Sequence, residues 1–365
     1  MRAEIVDNIS DFEKLRESWN GLLLEARSDN IFITFEWQFL YWKHFGVKNS
    51  LCILVVSDAG KIVAIFPLMV NKRFGFRELR FISSSIADYE DLLITNNEEH
   101  QVEALRAAFD LLSRTHTWDI LRLKCIREDS RAYEVLRRTL DGDMVLRFFL
   151  QQHCDGAPQI DLTCGWGVYY RGLRKKFKSD IRRLQKHVGE NREYIPGDAL
   201  VEEDILPLLG KFMELHIKRR KETGGRSFFE DERVRDFFYS ASVEFFKKKW
   251  LEISQYKING IIASMKVDFV YNNRFYHYLA AFDPQFKEFA IDRLLLFEVL
   301  KRSFDKGLKA FDLMLGEEAF KRFWNPVPHK LFFWTLHQKT FSGYISYMLF
   351  NRLNLLFKKI MRKKW

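Results

Sequence analysis

The order of hydrophobic patterns repeats along this chain, and that repeat limits the fold more than any single motif. In the first half, helical spacing over 11–27 places Phe12, Leu15, Trp19, Leu22, Leu23 and Ala26 on one side. An aromatic run over 35–45 follows, then strands over 51–56 and 61–70 joined at Asp58-Ala59-Gly60. A strand at 77–82, a loop over 83–91 leading into Leu92, a helix at 102–113, a strand at 118–125 and a closing segment at 133–140 complete the set. The second half runs in the same order. A basic helix over 170–188 and helices at 204–221 and 230–249 precede strands at 250–257 and 261–271 joined at Asn259-Gly260. A strand at 274–281, a helix at 291–304 closed by Lys306-Gly307, and strands at 311–315 and 330–337 follow. This order predicts two similar α/β (α+β) units, each a mixed central sheet flanked by helices. A length of 365 residues suits about two domains. The boundaries expected are 1–155, 156–340 and a basic amphipathic C-terminal helix over 341–365.

Charge is distributed unevenly. The chain carries 59 Lys and Arg against 49 Asp and Glu. From Lys321 to Trp365 there are ten Lys or Arg and no acid, so the body before it is balanced. Inside that body, Arg171, Arg174, Lys175, Lys176, Lys178, Arg182, Arg183 and Lys186 face only Asp180. Such a cluster is either a solvated helix face or a contact surface for phosphates or anionic lipid. Residues 344–365 mix apolar positions at helical spacing with charges of one sign. That segment suits packing on the domain or contact with an anionic membrane surface.

The common catalytic signatures are absent. No G-x-G-x-x-G follows a strand, and no phosphate-loop, H-E-x-x-H or G-x-S-x-G pattern occurs. Nine scattered His give no metal cluster, and no metal is expected. Four Cys without a C-x-x-C pair read as thiols of a reducing compartment. With no apolar leader and no long apolar span, the expected location is cytoplasmic, or peripheral at the inner face of the cell membrane.

What remains lies in one stretch: Tyr278-Leu279-Ala280-Ala281-Phe282-Asp283-Pro284, a helix from about Ala290, Phe311-Asp312 with Gly316, and Lys321 with Trp324. A strand, a turn and a helix N-terminus can present backbone N–H groups to a diphosphate. A splayed strand pair can hold an extended thioester arm. With Trp37, Pro67-Leu68 and Asp88-Tyr89 before Asp91, these elements resemble the BioF2-like, CelD-type acyltransferases of the GNAT superfamily over roughly residues 10–330. Those in turn resemble the FemAB-type, double-domain aminoacyltransferases of peptidoglycan bridges.

The resemblance implies tandem GNAT-like domains and direct N-acyl transfer from acyl-CoA, acetyl-CoA being the expected co-substrate, to a polar amine. An amino-sugar or lipid-linked acceptor in envelope polysaccharide synthesis is the context it implies. Asp283, Asp312 and His216 are the acid–base candidates. Asp283 alternatively stabilises the turn before Pro284, Asp312 a cap, and His216 a structural site. Ala281, Phe282, Lys287, Ala290 and Ile291 are the expected donor-binding residues. Trp37, Asp88, Tyr89, Asp91, Lys321 and Trp324 are the expected acceptor-side residues, with core, capping and surface roles as their alternatives. The segment Gln285–Ile291 lacks the glycine typical before this helix, and Glu288 would oppose a diphosphate. Two other functions are therefore carried: an aminoacyl-tRNA-dependent transferase, and a non-catalytic, membrane-associated assembly factor. DNA is not an expected partner.

Overall fold

The computed structural model describes residues 1–142 and 148–350. Two units emerge, Met1–Cys154 with Lys330–Trp365, and Asp155–His329. In the first, β1 (Arg2–Val6), α1 (Ile9–Lys14), α2 (Arg16–Ala26) and α3 (Phe35–Phe45) lead into β2 (Ser50–Leu51), β3 (Ile53–Asp58), β4 (Lys61–Phe66), β5 (Leu68–Arg73) and β6 (Phe76–Phe81). Then come β7 (Leu93–Ile94), α4 (Glu98–Arg114), β8 (Ile120–Arg127), α5 (Arg131–Gly142) and β9 (Phe148–Gly156). The second unit contains β10 (Gln159–Asp161), α6 (Trp166–Gly172), α7 (Lys175–Val188), β11 (Arg192–Ile195), α8 (Glu202–Glu222) and α9 (Glu232–Lys247). It continues with β12 (Leu251–Ile258), β13 (Ile261–Tyr271), β14 (Arg274–Phe282), α10 (Ile291–Asp305) and β15 (Ala310–Asp312). The chain then enters β16 (Lys330–His337).

Both expected hairpins form for a local reason. Ala59 and Gly60 have φ 48° and 84°, and Asn259 and Gly260 have φ 51° and 76°. Two consecutive positive φ values match the twist of the flanking strands. The expected single strand over 61–70 is instead two strands in different sheets. Pro67 separates them, because a proline has no N–H to continue a ladder. The first unit thus holds a four-stranded sheet, β1-β3-β4-β7, and a six-stranded sheet, β2-β5-β6-β8-β16-β9.

Strand β16 was expected to close the second domain. It pairs antiparallel with β8 of the first unit, from Leu331 opposite Arg127 to His337 opposite Ile120. Trp334 and Leu336 from β16 join Leu121 and Leu123 in one buried cluster, which explains the placement. The expected basic helix is also two helices, broken at Leu173-Arg174 between α6 and α7.

The second unit has a six-stranded sheet in the order β10-β15-β14-β13-β12-β11. It is antiparallel except for β14 with β15. Helix α10 buries Leu294, Leu295, Leu296, Val299 and Leu300 against this sheet, together with Phe177, Ile181 and Leu184 from α7. The basic residues of α7 are left on its outer side. Burying Phe177, Ile181, Leu184 and Val188 at i, i+4, i+7 and i+11 makes α7 an amphipathic helix.

Candidate active site

Strand β14 has two neighbours of unequal length. It pairs with β13 up to Phe282, opposite Ser264, but with β15 only from Arg274 to Tyr276. Among the described residues no strand pairs with its other edge from His277 to Phe282, so β14 and β15 form a fork. Asp312, the last residue of β15, accepts the Met314 N–H at 2.8 Å, and Met314 takes φ 66°. The chain therefore turns away at once. Lys321 secures that turn: its buried Nζ donates to the carbonyls of Met314, Leu315 and Gly316 at 3.0, 2.8 and 3.1 Å. It also pairs with Glu318 at 2.7 Å. Gly316 has φ 106°, a backbone conformation that side chains strain against, so glycine suits the turn.

The fork's vertex carries a pair that the sequence reading missed. The β13–β14 register shifts between Val267 and Phe269, so Asp268 faces both His277 and Tyr278. Its buried Oδ1 lies 3.0 Å from His277 Nδ1 and accepts the Tyr278 N–H at 3.1 Å. That contact places the proton on Nδ1 and leaves the Nε2 lone pair available. The His277 ring sits 6.1 Å from Phe311 of β15. The only available signal was two polar residues at the centres of strands, which reads equally as an outward-facing alternation.

Below the fork, α10 begins at Ala290 in the left-handed region, φ 45° and ψ 42°, with no side-chain cap on its first N–H groups. A cavity of about 180 Å³ opens there, lined by Phe282, Lys287, Ala290, Ile291, Arg293 and Trp324 among others. Four of the five expected donor-binding residues meet in it. Ala281 is fully buried in β14 and does not line it. Lys287 lines the cavity and Glu288 does not. Uncapped N–H groups beside two cationic side chains form an anion-binding arrangement. Asp292 also lines the cavity, but Lys266, with no exposed side-chain surface, holds its carboxylate at 2.8 Å. Burial pushes the Asp292 carboxyl up. Lys266, aided by His277 and Arg219, more than offsets this and leaves it below its ordinary value.

Several expected residues are engaged elsewhere. Asp283 caps the turn after β14 by accepting the Gln285 N–H at 3.1 Å, and it pairs with Lys218 at 2.7 Å. Burial pushes its carboxyl up, but the Lys218 and Gln285 hydrogen bonds hold it below the usual range. A carboxylate so stabilised is a poor base. Asp312 is fully buried and lies 3.3 Å from Arg274. Lys321, expected on the acceptor side, is a buried staple of the turn after β15. Trp324 is buried edge-on to Phe177 while also walling the cavity.

His216 is buried on α8, with Nδ1 2.8 Å from Ser227 Oγ and its ring against Phe228 and Phe229. Burial, with Arg220 and Arg219 nearby, lowers it to about 4. The unfolded chain then binds a proton between about pH 6.5 and pH 4 that the folded chain does not, so stability falls as pH falls through that window. The chain with His216→Gln is expected to show a flatter fall in melting temperature there. An unchanged slope would remove His216 as its source.

In the first unit, Trp37 and Tyr89 are fully buried around Phe32, at ring distances of 5.0 and 6.2 Å. Asp88 is half-buried. Asp91 lines a polar cavity of about 200 Å³ with Asp29, Arg127 and Ser130. Its carboxyl is pushed up to about 7 by burial, against the opposing Leu92 N–H, Arg127 and Ser130. Among the described residues, no group of side chains could hold a metal ion, and no helix is long and apolar enough to cross a membrane.

Comparison with known proteins shows what the chain is similar to. A search of curated proteins finds no match. Among solved structures, FemX superposes with a TM-score of 0.63 at 10% identity, over 92% of this chain and 97% of FemX. The C-terminal domain of a putative lysylphosphatidylglycerol synthetase from Agrobacterium fabrum gives 0.57 at 13% identity, covering 92% and 96% of the two chains. L-PGS from Bacillus licheniformis gives 0.55 at 11%, covering 92% and 95%. These likenesses establish a shared tandem α/β fold. The acetyltransferase (GNAT) domain family model matches residues 171–322, which include the fork, α10 and all the named cavity lining except Trp324. Over residues 171–322 the second unit is thus similar to an acetyltransferase (GNAT) domain.

Proposed function

We propose that this domain transfers an acyl group from a CoA thioester, acetyl-CoA in the simplest case, to an amine. The observation that carries the reading is the continuity of the fork with the uncapped start of α10. An extended thioester arm would add along the edge of β14 that β15 leaves past Tyr276, and its diphosphate would meet the first N–H groups of α10 with Lys287 and Arg293. The amine nitrogen attacks the thioester carbonyl carbon, the C–S bond breaks, and the proton released by the nitrogen passes to Nε2 of His277. Asp268 is the positioning residue that holds His277 in that tautomer. Ala290 takes the left-handed conformation that a glycine would favour, and Glu288 stays off the cavity lining, so the missing glycine does not block the site. The likeness to BioF2-like, CelD-type proteins favours an amino-sugar acceptor in envelope polysaccharide synthesis, on the cytoplasmic side.

CoA titration by calorimetry tests the reading. Saturable binding is expected, weakened about tenfold by Lys287→Ala and by Arg293→Ala. Thiol release from acetyl-CoA with amino-sugar acceptors tests turnover.

One observation favours a second reading. Arg293 also lines a cavity of about 390 Å³ with Arg174 and Lys176 of the basic helix α7. A donor carried on tRNA would use that surface for phosphates, with steep salt dependence. Selective deacylation of charged tRNA without CoA binding would replace the first reading by this one. Binding of neither donor would favour the assembly role.

A further inference from the structure

We propose that the cavity at the start of α7 is a subsite for the 3′-phosphate of CoA, and that Arg174 and Lys176 make the second unit select CoA over the same molecule without that phosphate. The inference rests on the CoA reading above and extends it to the far end of the donor, which the fork and α10 leave unassigned. The cavity, about 390 Å³, is lined by Arg174, Lys176, Phe177, Asp180, Arg293 and Phe323. Arg293 also lines the cavity assigned to the diphosphate at the start of α10, so one guanidinium borders both spaces. The ribose of CoA has the same property: it carries the diphosphate on its 5′ oxygen and a separate phosphate on its 3′ oxygen.

The charge of the lining identifies the ligand. Exposed cations elsewhere in this unit find acids on their own helices: Lys211 pairs with Glu214, Arg233 with Asp231 and Lys247 with Glu244. Among the described residues Arg174 and Lys176 have no such partner, and both are exposed. Asp180, the acid of the lining, lies 3.6 Å from Arg183. Three cations therefore converge on one cavity, and a phosphomonoester concentrates about two negative charges at one point. The phosphodiesters of a polynucleotide instead carry single charges spaced along a strand. One wall is aromatic. Phe323 lies parallel to the buried Phe177, with ring centres 6.1 Å apart and 5° between the planes, yet stays 41% exposed. Arg293 lies 5.7 Å from the Phe323 ring centre. An exposed ring beside a guanidinium suits the flat face of an adenine. Of the eight cations from Arg171 to Lys186, only Arg174 and Lys176 line this cavity, so the assignment concerns those two and not the charge of the helix as a whole.

Calorimetric titration of the full chain with CoA and with 3′-dephospho-CoA is the test. CoA is expected to bind at least about tenfold more tightly, and added salt should narrow the gap. Arg174→Ala with Lys176→Ala should bring CoA down to the affinity of dephospho-CoA. Dephospho-CoA binding by that variant reports that it is folded. Arg182→Ala with Lys186→Ala removes the same charge from the same helix away from the cavity, and should keep the gap between the two ligands. Three results would overturn the proposal. Equal affinities in the parent chain would remove the subsite and leave the CoA reading standing. A gap lost equally in both double variants would make it an effect of the helix's general field. Binding of neither ligand would remove the CoA reading and the subsite together, and retention of charged tRNA in the same titration would then give the two cations to its phosphates.

Discussion

The His277→Asn chain should lose about 10²–10⁴-fold in kcat with acetyl-CoA while keeping its affinity for CoA. Asparagine retains an amide N–H where His277 presents Nδ1–H, so Asp268 keeps its partner and the bulge between β13 and β14 is preserved. What disappears is the second ring nitrogen, the group assigned to accept the proton. An amine attacks only as the free base, and removing the acceptor of its departing proton raises the barrier at that step. Asp268→Asn acts differently. Its amide can offer an N–H to the imidazole and favour the wrong tautomer, so the rate should fall although both ring nitrogens remain. Single-turnover kinetics read both losses at the chemical step. An unchanged kcat in His277→Asn would place the proton acceptor elsewhere.

The second large effect is on stability. Asp292→Ala should cost about 3–5 kcal/mol in urea unfolding, because it leaves the Lys266 ammonium buried without its counter-charge. Lys266→Met combined with Asp292→Ala should recover much of that loss, since no buried charge then remains uncompensated. A double substitution no better than Asp292→Ala alone would show that the ion pair is not the reason. The pair also has a pH signature. The Asp292 carboxyl is held below its unfolded value of 3.8, so its contribution is present above that value and is lost as pH falls through the lowered folded value.

These two pairs show where sequence reasoning stops. Asp268 and His277 are separated by a turn at Asn272-Asn273, and each is an unremarkable polar residue within its strand. They become partners because a one-residue bulge aligns them. Lys266 and Asp292 meet because the first turn of α10 lies over β13, a packing fact with no local signature. By contrast, Ala290, Ile291, Phe282 and Lys287 were legible as a group, because a strand end, a turn and a helix start adjoin in sequence. Asp283 was legible too, as the residue that caps the turn before Pro284, and that role is what the structure assigns it.

The sequence by itself determined the hairpins at Asp58-Ala59-Gly60 and Asn259-Gly260, the helices and their buried stripes, the repeated order of elements, and the concentration of positive charge after Lys321. All of these depend on residues a few positions apart, whose backbone preferences and periodicity act locally. Only the tertiary structure decided that the strand over 61–70 breaks between sheets at Pro67, that Lys330–His337 returns to the first unit, and that Lys321 points inward to hold a turn. It alone turned Phe341, Tyr344, Ile345, Met348 and Leu349 outward at the start of the expected C-terminal helix, whose remainder, 351–365, lies outside the described residues. Those outcomes depend on which distant surfaces can close-pack and which buried polar groups find partners. The same stretch of residues can satisfy several such arrangements until the rest of the chain is in place.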